Sequence, residues 1–192
     1  MKTTIKLALL AATMGMGLTA SAQTKGMKEK ERTVQVGGAA MYPSKNIIEN
    51  AVNSKDHTTL VAAVKAAGLV ETLSSAGPFT VFAPTNAAFE KLPMGTVDNL
   101  LKPENKDALA GVLTYHVLAG KFNGKDVMAA IKKGNGKATM KTVAGGELSF
   151  SMMGDALMVS DGSGGMAHVT IADVNQSNGV IHVVDGVLLP AK

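Results

Sequence analysis

The sequence predicts one α+β domain, with short helices first and a meandering sheet after them. Three observations carry this. Apolar residues recur at helical spacing through the first two-thirds of the chain, as in Leu60, Val61, Val64 and Ala67. Beyond residue 138 the pattern changes to strand-like alternation, punctuated by Gly145-Gly146 and Gly154-Asp155. No internal repeat is present, and helices followed by strands argue against alternating βαβ units.

The two ends are read apart from this domain. Lys2 and Lys6 precede an apolar run from Leu7 to Leu18, and Ala20-Ser21-Ala22 has the small-x-small form of a cleavage site. Residues 1–22 are therefore expected to be a signal peptide, with Gln23 as the mature start. The run falls short of the roughly 20 apolar residues of a bilayer span. Residues 23–43 are polar, then small, and are expected to be a flexible segment, with an edge strand at Val34–Val36 as the alternative. The domain proper is placed at 44–190.

Charge and cysteine content exclude several classes. The chain has 19 basic and 15 acidic residues. Without Lys2 and Lys6 the counts become 17 and 15, and residues 24–32 alone hold four basic and two acidic residues. The domain is thus close to neutral, which argues against nucleic acid as a partner and predicts mild salt dependence. Without cysteine there is no disulfide framework, thiol nucleophile, lipoprotein acylation site or thiolate metal centre.

The elements follow in order. Asn46–Val52 reads as a short helix. Thr58 or Thr59 caps a longer one, which Gly68 ends. Val70–Ser75 is a further helical turn, and Gly77-Pro78 starts the strand Phe79–Ala83, closed by Pro84. Thr85 or Asn86 caps a helix holding Ala87, Ala88 and Phe89. Thr96 caps Val97–Leu101, and Pro103 opens a helix with Leu109, Val112 and Leu113 on its buried stripe. A strand is expected at Tyr115–Leu118 and a helix at Gly124–Ile131. Further strands are expected at Thr139–Val143, Glu147–Met152, Ala156–Ser160, His168–Ala172 and Val180–Leu189. Asp161–Gly165 (DGSGG) reads as a loop.

Two apolar segments with turn or cap residues at set places stand out. One runs from Thr80 through Phe82, Pro84, Thr85 and Asn86 to Phe89; the other from Asn178-Gly179 through His182 to Asp185, closing with Leu188-Leu189-Pro190. Tyr115-His116 lies between them. Three motifs in this order resemble a fasciclin-like domain, the module of periostin-type and secreted bacterial adhesion proteins. The resemblance covers about residues 44–190 and implies a β-sandwich-like wedge of strands packed with several short helices. It also implies that residues around Tyr115 and His116 contact a partner.

The motif residues themselves read as structural. Thr85 and Asn86 suit orphan N–H groups at a helix start. Val180, His182 and Val184 face one way, and Ile181, Val183 and Asp185 the other, so the last strand is covered on both sides. Gly179 is expected to need a positive φ. Of the four histidines, 57, 116, 168 and 182, no two have metal-site spacing, so no metal and no cofactor is expected. After signal removal nine methionines remain, five of them from Met140 to Met166. They read as gap-fillers in an aromatic-poor core, with a Cu(I) site as the alternative. No G-x-S-x-G, H-E-x-x-H or phosphate loop occurs, and no catalytic residue is assigned.

The function expected on these grounds is a secreted or periplasmic, non-enzymatic adhesion module. Its partner would be a cell-surface or matrix protein or glycan; no membrane insertion after signal cleavage is expected, and the module is expected as a monomer. Alternatives are a carrier of a small apolar ligand between helices and sheet, and a Met/His copper-binding protein.

Overall fold

A computed structural model describes residues 32–191. The expected signal peptide and most of the basic tail lie outside them. Two strands open the described chain, β1 (Val34–Val36) and β2 (Ala39–Met41). Helices α1 (Ile47–Ala51), α2 (Thr58–Ala67) and α3 (Val70–Ser74) follow. Next come β3 (Phe79–Pro84), α4 (Asn86–Glu90), α5 (Thr96–Leu100), α6 (Lys106–Tyr115), β4 (Val117–Ala119) and α7 (Gly124–Lys133). The rest is strand: β5 (Lys137–Lys141), β6 (Glu147–Met153), β7 (Ala156–Ser160), β8 (Met166–Gln176) and β9 (Gly179–Val184).

Strands β3 to β9 form one seven-stranded sheet in the order β4-β3-β9-β8-β7-β6-β5. An antiparallel bridge between Leu118 and Thr142 joins its two end strands, with Val143 N–H donating to Val117 O at 2.8 Å. The layer is therefore a single barrel-like sheet, not two stacked ones. Within it β3 and β9 run parallel, Phe79 beside Gly179 through Pro84 beside Val184. The chain between them supplies the antiparallel meander.

The β3–β9 pair separates two apolar cores. Val81, Ala83, Ile181 and Val183 face a layer built by α1, α2, α3 and α6, with Leu60, Val64, Leu73, Leu109 and Leu113. Phe82 and Val184 face the barrel interior, with Leu118, Val127, Leu148, Phe150 and Val159. The strict alternation of the two strands feeds both sides, which is why every residue of β9 is buried.

Four expectations are corrected. Residues 34–41 are not a flexible lead-in: β1 and β2 make a hairpin with Val36 paired to Ala39. Gly37 and Gly38, read as linker, are its two turn residues, both at positive φ (57° and 75°) as such a tight hairpin requires. Val36 and Met41 bury in the helical-side core, and Asn50 holds the end by exchanging bonds with Tyr42 (N to Oδ1 3.0 Å, Nδ2 to O 2.8 Å). The second correction is at Tyr115, which ends α6 instead of opening a strand; β4 starts at Val117. Third, β9 stops at Val184, and residues 185–190 run on without strand pairing. Fourth, Gly179 does not adopt a positive φ. It lies so close to β3 that a Cβ would fall on the Phe79 carbonyl oxygen, so close approach explains the glycine.

Cap chemistry explains several boundaries. Asn46 and Glu49 form a capping box at α1 (Glu49 N to Asn46 Oδ1 2.9 Å, Asn46 N to Glu49 Oε2 2.8 Å). Thr85 caps α4, accepting from Ala88 N at 3.3 Å. Asn86 instead reaches across to α2, where Oδ1 accepts from Thr59 N at 3.0 Å and Nδ2 donates to Lys55 O at 2.8 Å. Two neighbouring motif residues thus serve two different helix starts.

Candidate functional site

The motif residues gather around the β3–β9 pair, and their polar atoms are occupied by the fold. Thr80 is buried; its hydroxyl donates to Gly120 O at 2.7 Å and accepts from Phe122 N at 2.8 Å, fixing the segment that leads into α7. Asn178 accepts from Ile47 N at 3.0 Å and donates to Leu73 O and Ser75 O at 2.8 Å each. One side chain thereby ties α1 and α3 to the start of β9. Phe82 is fully buried with its ring centroid 5.3 Å from that of Phe150. Pro84 and Phe89 are buried as well.

His182 is buried between polar partners. Its Nε2–H donates to Phe122 O at 2.9 Å, and Nδ1 accepts from Asp173 N at 3.3 Å. Burial lowers its pKa, against the pull of the Phe122 carbonyl and Asp173. Asp173 stands in β8 within the register shift between Ile171 and Val174, at φ 59°, and its Oδ1 accepts from Gly124 N at 2.6 Å. The irregular strand thus aims a carboxylate at the first residue of α7.

Tyr115 and His116 do not sit at the surface. They are 1% and 3% exposed. Tyr115 OH donates to Glu147 O at 2.7 Å and accepts from Gly162 N at 2.9 Å. His116 donates from Nδ1 to Val112 O at 2.8 Å, and its Nε2 accepts from Leu188 N at 2.9 Å. Asp161 completes this group: Oδ1 accepts from Ser163 N (3.0 Å), Ser163 Oγ (2.9 Å) and Gly165 N (2.6 Å), and Oδ2 from Leu189 N (2.8 Å). His116 and Asp161 clamp the segment after β9, and Tyr115 braces the loop that carries Asp161. Direct partner contact through the Tyr115 and His116 side chains has no exposed atoms to rest on. Burial pushes the His116 imidazole down to about 4, against the Val112 carbonyl and Asp161.

Asp185 is the half-buried end of the second motif. Its Oδ1 accepts from His168 N at 2.7 Å, Oδ2 lies 3.3 Å from His168 Nδ1, and Lys91 Nζ is 3.5 Å away. Burial pushes its carboxyl up, but the His168 N–H, Lys91 and the His168 ring outweigh it and hold the group below its ordinary range. His57 is buried with Nδ1 2.9 Å from Ser54 Oγ, and burial lowers its pKa. The four histidines therefore occupy four separate settings. Among the described residues no group of three or more His, Asp or Glu side chains gathers as a metal site.

The methionines depart from the gap-filling expectation. Met41 and Met158 are buried, but Met153 and Met166 are 59% and 68% exposed, and Met94 is fully exposed. Register sets Met158 beside Ser151 on one side and His168 on the other. The carrier alternative meets a space limit. An apolar gap among α1, α2, α3 and β3, lined by Ile47, Leu60, Val64, Leu73 and Val81, holds about 30 Å³ of room. A second beneath the β1–β2 hairpin is of the same size. A small-molecule pocket is about ten times larger. No helix among the described residues is long and apolar enough to cross a membrane.

The motifs lie inside a stretch matched by a family model. Residues 55–190 match the model of the fasciclin domain. This chain belongs to the fasciclin-domain family. It is 45% identical to Protein sll1483 of a Synechocystis strain, an alignment covering 95% of this chain and 93% of that protein. It is 34% identical to the cell surface glycolipoprotein MPB83 of Mycobacterium bovis, over 81% of this chain and 64% of that protein. Among solved structures, a fasciclin domain pair from the insect cell adhesion molecule fasciclin I superposes with a TM-score of 0.67 at 16% identity, covering 83% of this chain and 58% of that one. That likeness shows the fold: a wedge-like, barrel-forming sheet with several short helices. The β1–β2 hairpin and α1 lie outside the stretch that the family model matches.

Sequence reasoning missed Asp161, Asp173 and Asn50. Asp161 had a readable signal, since Asp before Ser and Gly favours a side-chain-closed turn. Asp173 had a fainter one, an acid in mid-strand where acids are depleted.

Proposed function

We propose that the chain is an exported, non-enzymatic interaction module that binds a partner at the cell surface or in the surrounding matrix. The observation that carries this reading is the occupation of the motif residues: Thr80, Asn86, Asn178 and His182 each spend their polar atoms on the fold. No nucleophile stands beside a base in an accessible cleft among them. Recognition then falls to the outer surface of a stiff scaffold. The names of two relatives, a cell surface glycolipoprotein and a cell adhesion molecule, support the same reading.

The test is adhesion of protein-coated beads to the organism's own cells and matrix. Two versions are compared, one starting at Gln23 and one at Arg32. The cut is placed at Arg32 because Val36 and Met41 belong to the core. Equal adhesion by both, unchanged by a metal chelator, supports the reading. Loss of adhesion with residues 23–31 would make the basic tail the active element. Loss with the chelator would bring a metal-dependent reading forward.

A further inference from the structure

The described domain is neutral in sum but not in distribution. Residues 32–191 hold thirteen basic and thirteen acidic side chains. Six of the thirteen basic ones, Lys121, Lys125, Lys132, Lys133, Lys137 and Lys141, fall within 121–141, where Asp126 is the lone acid. All six are exposed, and none lies within ion-pair distance of a described carboxylate.

The fold makes a surface of five of the six; Lys121 precedes α7 and lies toward Arg32, Val34 and Asp173. α7 buries Val127 and Ile131 in the barrel core, and β5 buries Ala138 there. Lys125, Lys132 and Lys133 lie on the outward side of α7. Lys137 and Lys141 alternate with Ala138 and so stand on the outer face of β5. Residues 134–136 join the two elements tightly, with Gly136 N donating to Ile131 O at 2.9 Å. Two rows of ammonium groups, each on the order of 12 Å long, therefore meet at one corner of the barrel.

We propose that this α7–β5 corner is the binding surface for an anionic glycan, a chain carrying carboxylate, sulfate or phosphate groups. The proposal rests on the interaction-module reading and names the chemistry of its partner. Lysines are point charges that suit a row of anions without fixed geometry. Two rows on different elements fit a chain that bends around the corner better than a flat bilayer, which meets one row at a time. The stretch also offers no exposed aromatic ring for a base to stack on: its one aromatic, Phe122, is half-buried in the barrel-side core. The neutral total hides this field, so binding depends on salt despite the balanced charge.

The experiment measures Kd of the full chain, and of the version starting at Arg32, for alginate, dextran sulfate and neutral dextran. Phosphatidylglycerol vesicles and a single-stranded oligonucleotide serve as the other polyanions. Both versions should bind the two charged glycans and not neutral dextran, weakening at least tenfold between 50 and 300 mM salt, on the order expected for several released counterions. Lys125→Glu/Lys132→Glu/Lys137→Glu should lose at least tenfold. Lys65→Glu/Lys102→Glu/Lys106→Glu, with the same change in net charge elsewhere, should stay within about twofold, the level expected for charges beyond a screening length. Lys→Gln changes at 125, 132 and 137 give the same comparison with less perturbation if the reversals unfold. Equal losses in the two triple variants, no glycan binding at 50 mM salt, or tighter binding to vesicles or oligonucleotide overturns the assignment. The bead assay separates the two claims: adhesion that persists in the α7–β5 variants leaves the module reading standing and removes this surface from it.

Discussion

Phe82 and His182 are register partners on the parallel strands β3 and β9, and their rings stack with centroids 5.4 Å apart and planes 21° from parallel. One comes from each motif, a hundred residues apart in the chain. The pair packs into the barrel-side core where the two parallel strands touch.

Truncation there should be expensive. Phe82→Ala removes a fully buried ring that also packs on Phe150, and should cost roughly 3–5 kcal/mol. Ile181→Ala, on the helical side of the neighbouring strand, should cost about 2–5 kcal/mol. Urea melts at pH 7 check both. Losses under about 1 kcal/mol at both positions would contradict a tightly packed central pair.

The approach of β9 to β3 gives a sharper test. A Cβ at Gly179 would fall on the Phe79 carbonyl and within 2.9 Å of its carbon, both backbone atoms that cannot swing away. Gly179→Ala should therefore destabilise by roughly 1–3 kcal/mol, the range for overpacking. Ser177→Ala, two residues earlier and exposed, should stay within about 0.5 kcal/mol. Equal effects in thermal melts of the two variants would remove the close-approach explanation.

These contrasts also show what was legible in the residues. Alternation in Val180–Val184 revealed a strand covered on both sides because two cores draw on opposite faces of one pair. The edge strand at Val34–Val36, the alternative reading of the lead-in, is β1 of the structure, but its partner β2 was hidden because Gly-Gly and small residues read as linker; the hairpin's order comes from Asn50 and from a core formed by residues far along the chain. Tyr115 was misread because Val112, Leu113, Val117 and Leu118 form one apolar run, and a helix end cannot be told from a strand start within it. The surface roles of Tyr115 and His116 failed for a related reason: the Leu188, Glu147 and Gly162 backbone groups that occupy them come from distant segments.

Acid should weaken the fold through His116. Its folded pKa is about 4 against 6.5 for the free group. Between those values the unfolded chain binds the extra proton, so stability falls as pH drops from about 6.5 to about 4 and levels off below. The lost contribution is on the order of 3 kcal/mol. His182 and His57, also lowered by burial, act in the same direction. Asp185, with its lowered carboxyl pKa, contributes only below that window. Burial of the charged ring is the cause, and protonation would also set an N–H against the Leu188 amide that Nε2 now accepts from. Urea midpoints at pH 7, 5.5 and 4.5 should decline in that order, and His116→Gln should reduce the spread. A flat profile would mean that the imidazole is hydrated or already charged.

Asp161 should control the end of the chain. Its carboxylate receives three backbone N–H groups and one hydroxyl, tying the 161–165 loop to Leu189. Asp161→Ala leaves those donors without their charged acceptor, and hydrogen bonds to charged groups are each worth about 1.5–3 kcal/mol. The group is partly solvent-facing, so water replaces part of the loss, and a total of about 2 kcal/mol is expected. Asp161→Asn keeps one acceptor oxygen and should fall between. Amide exchange separates this role from a general loss of stability: the Leu189 and Gly165 amides should exchange faster by at least tenfold while Phe82 and Val183 slow or speed only with the global change. Uniform acceleration across all four amides would show that Asp161 supports the whole fold and does not act as a local clamp.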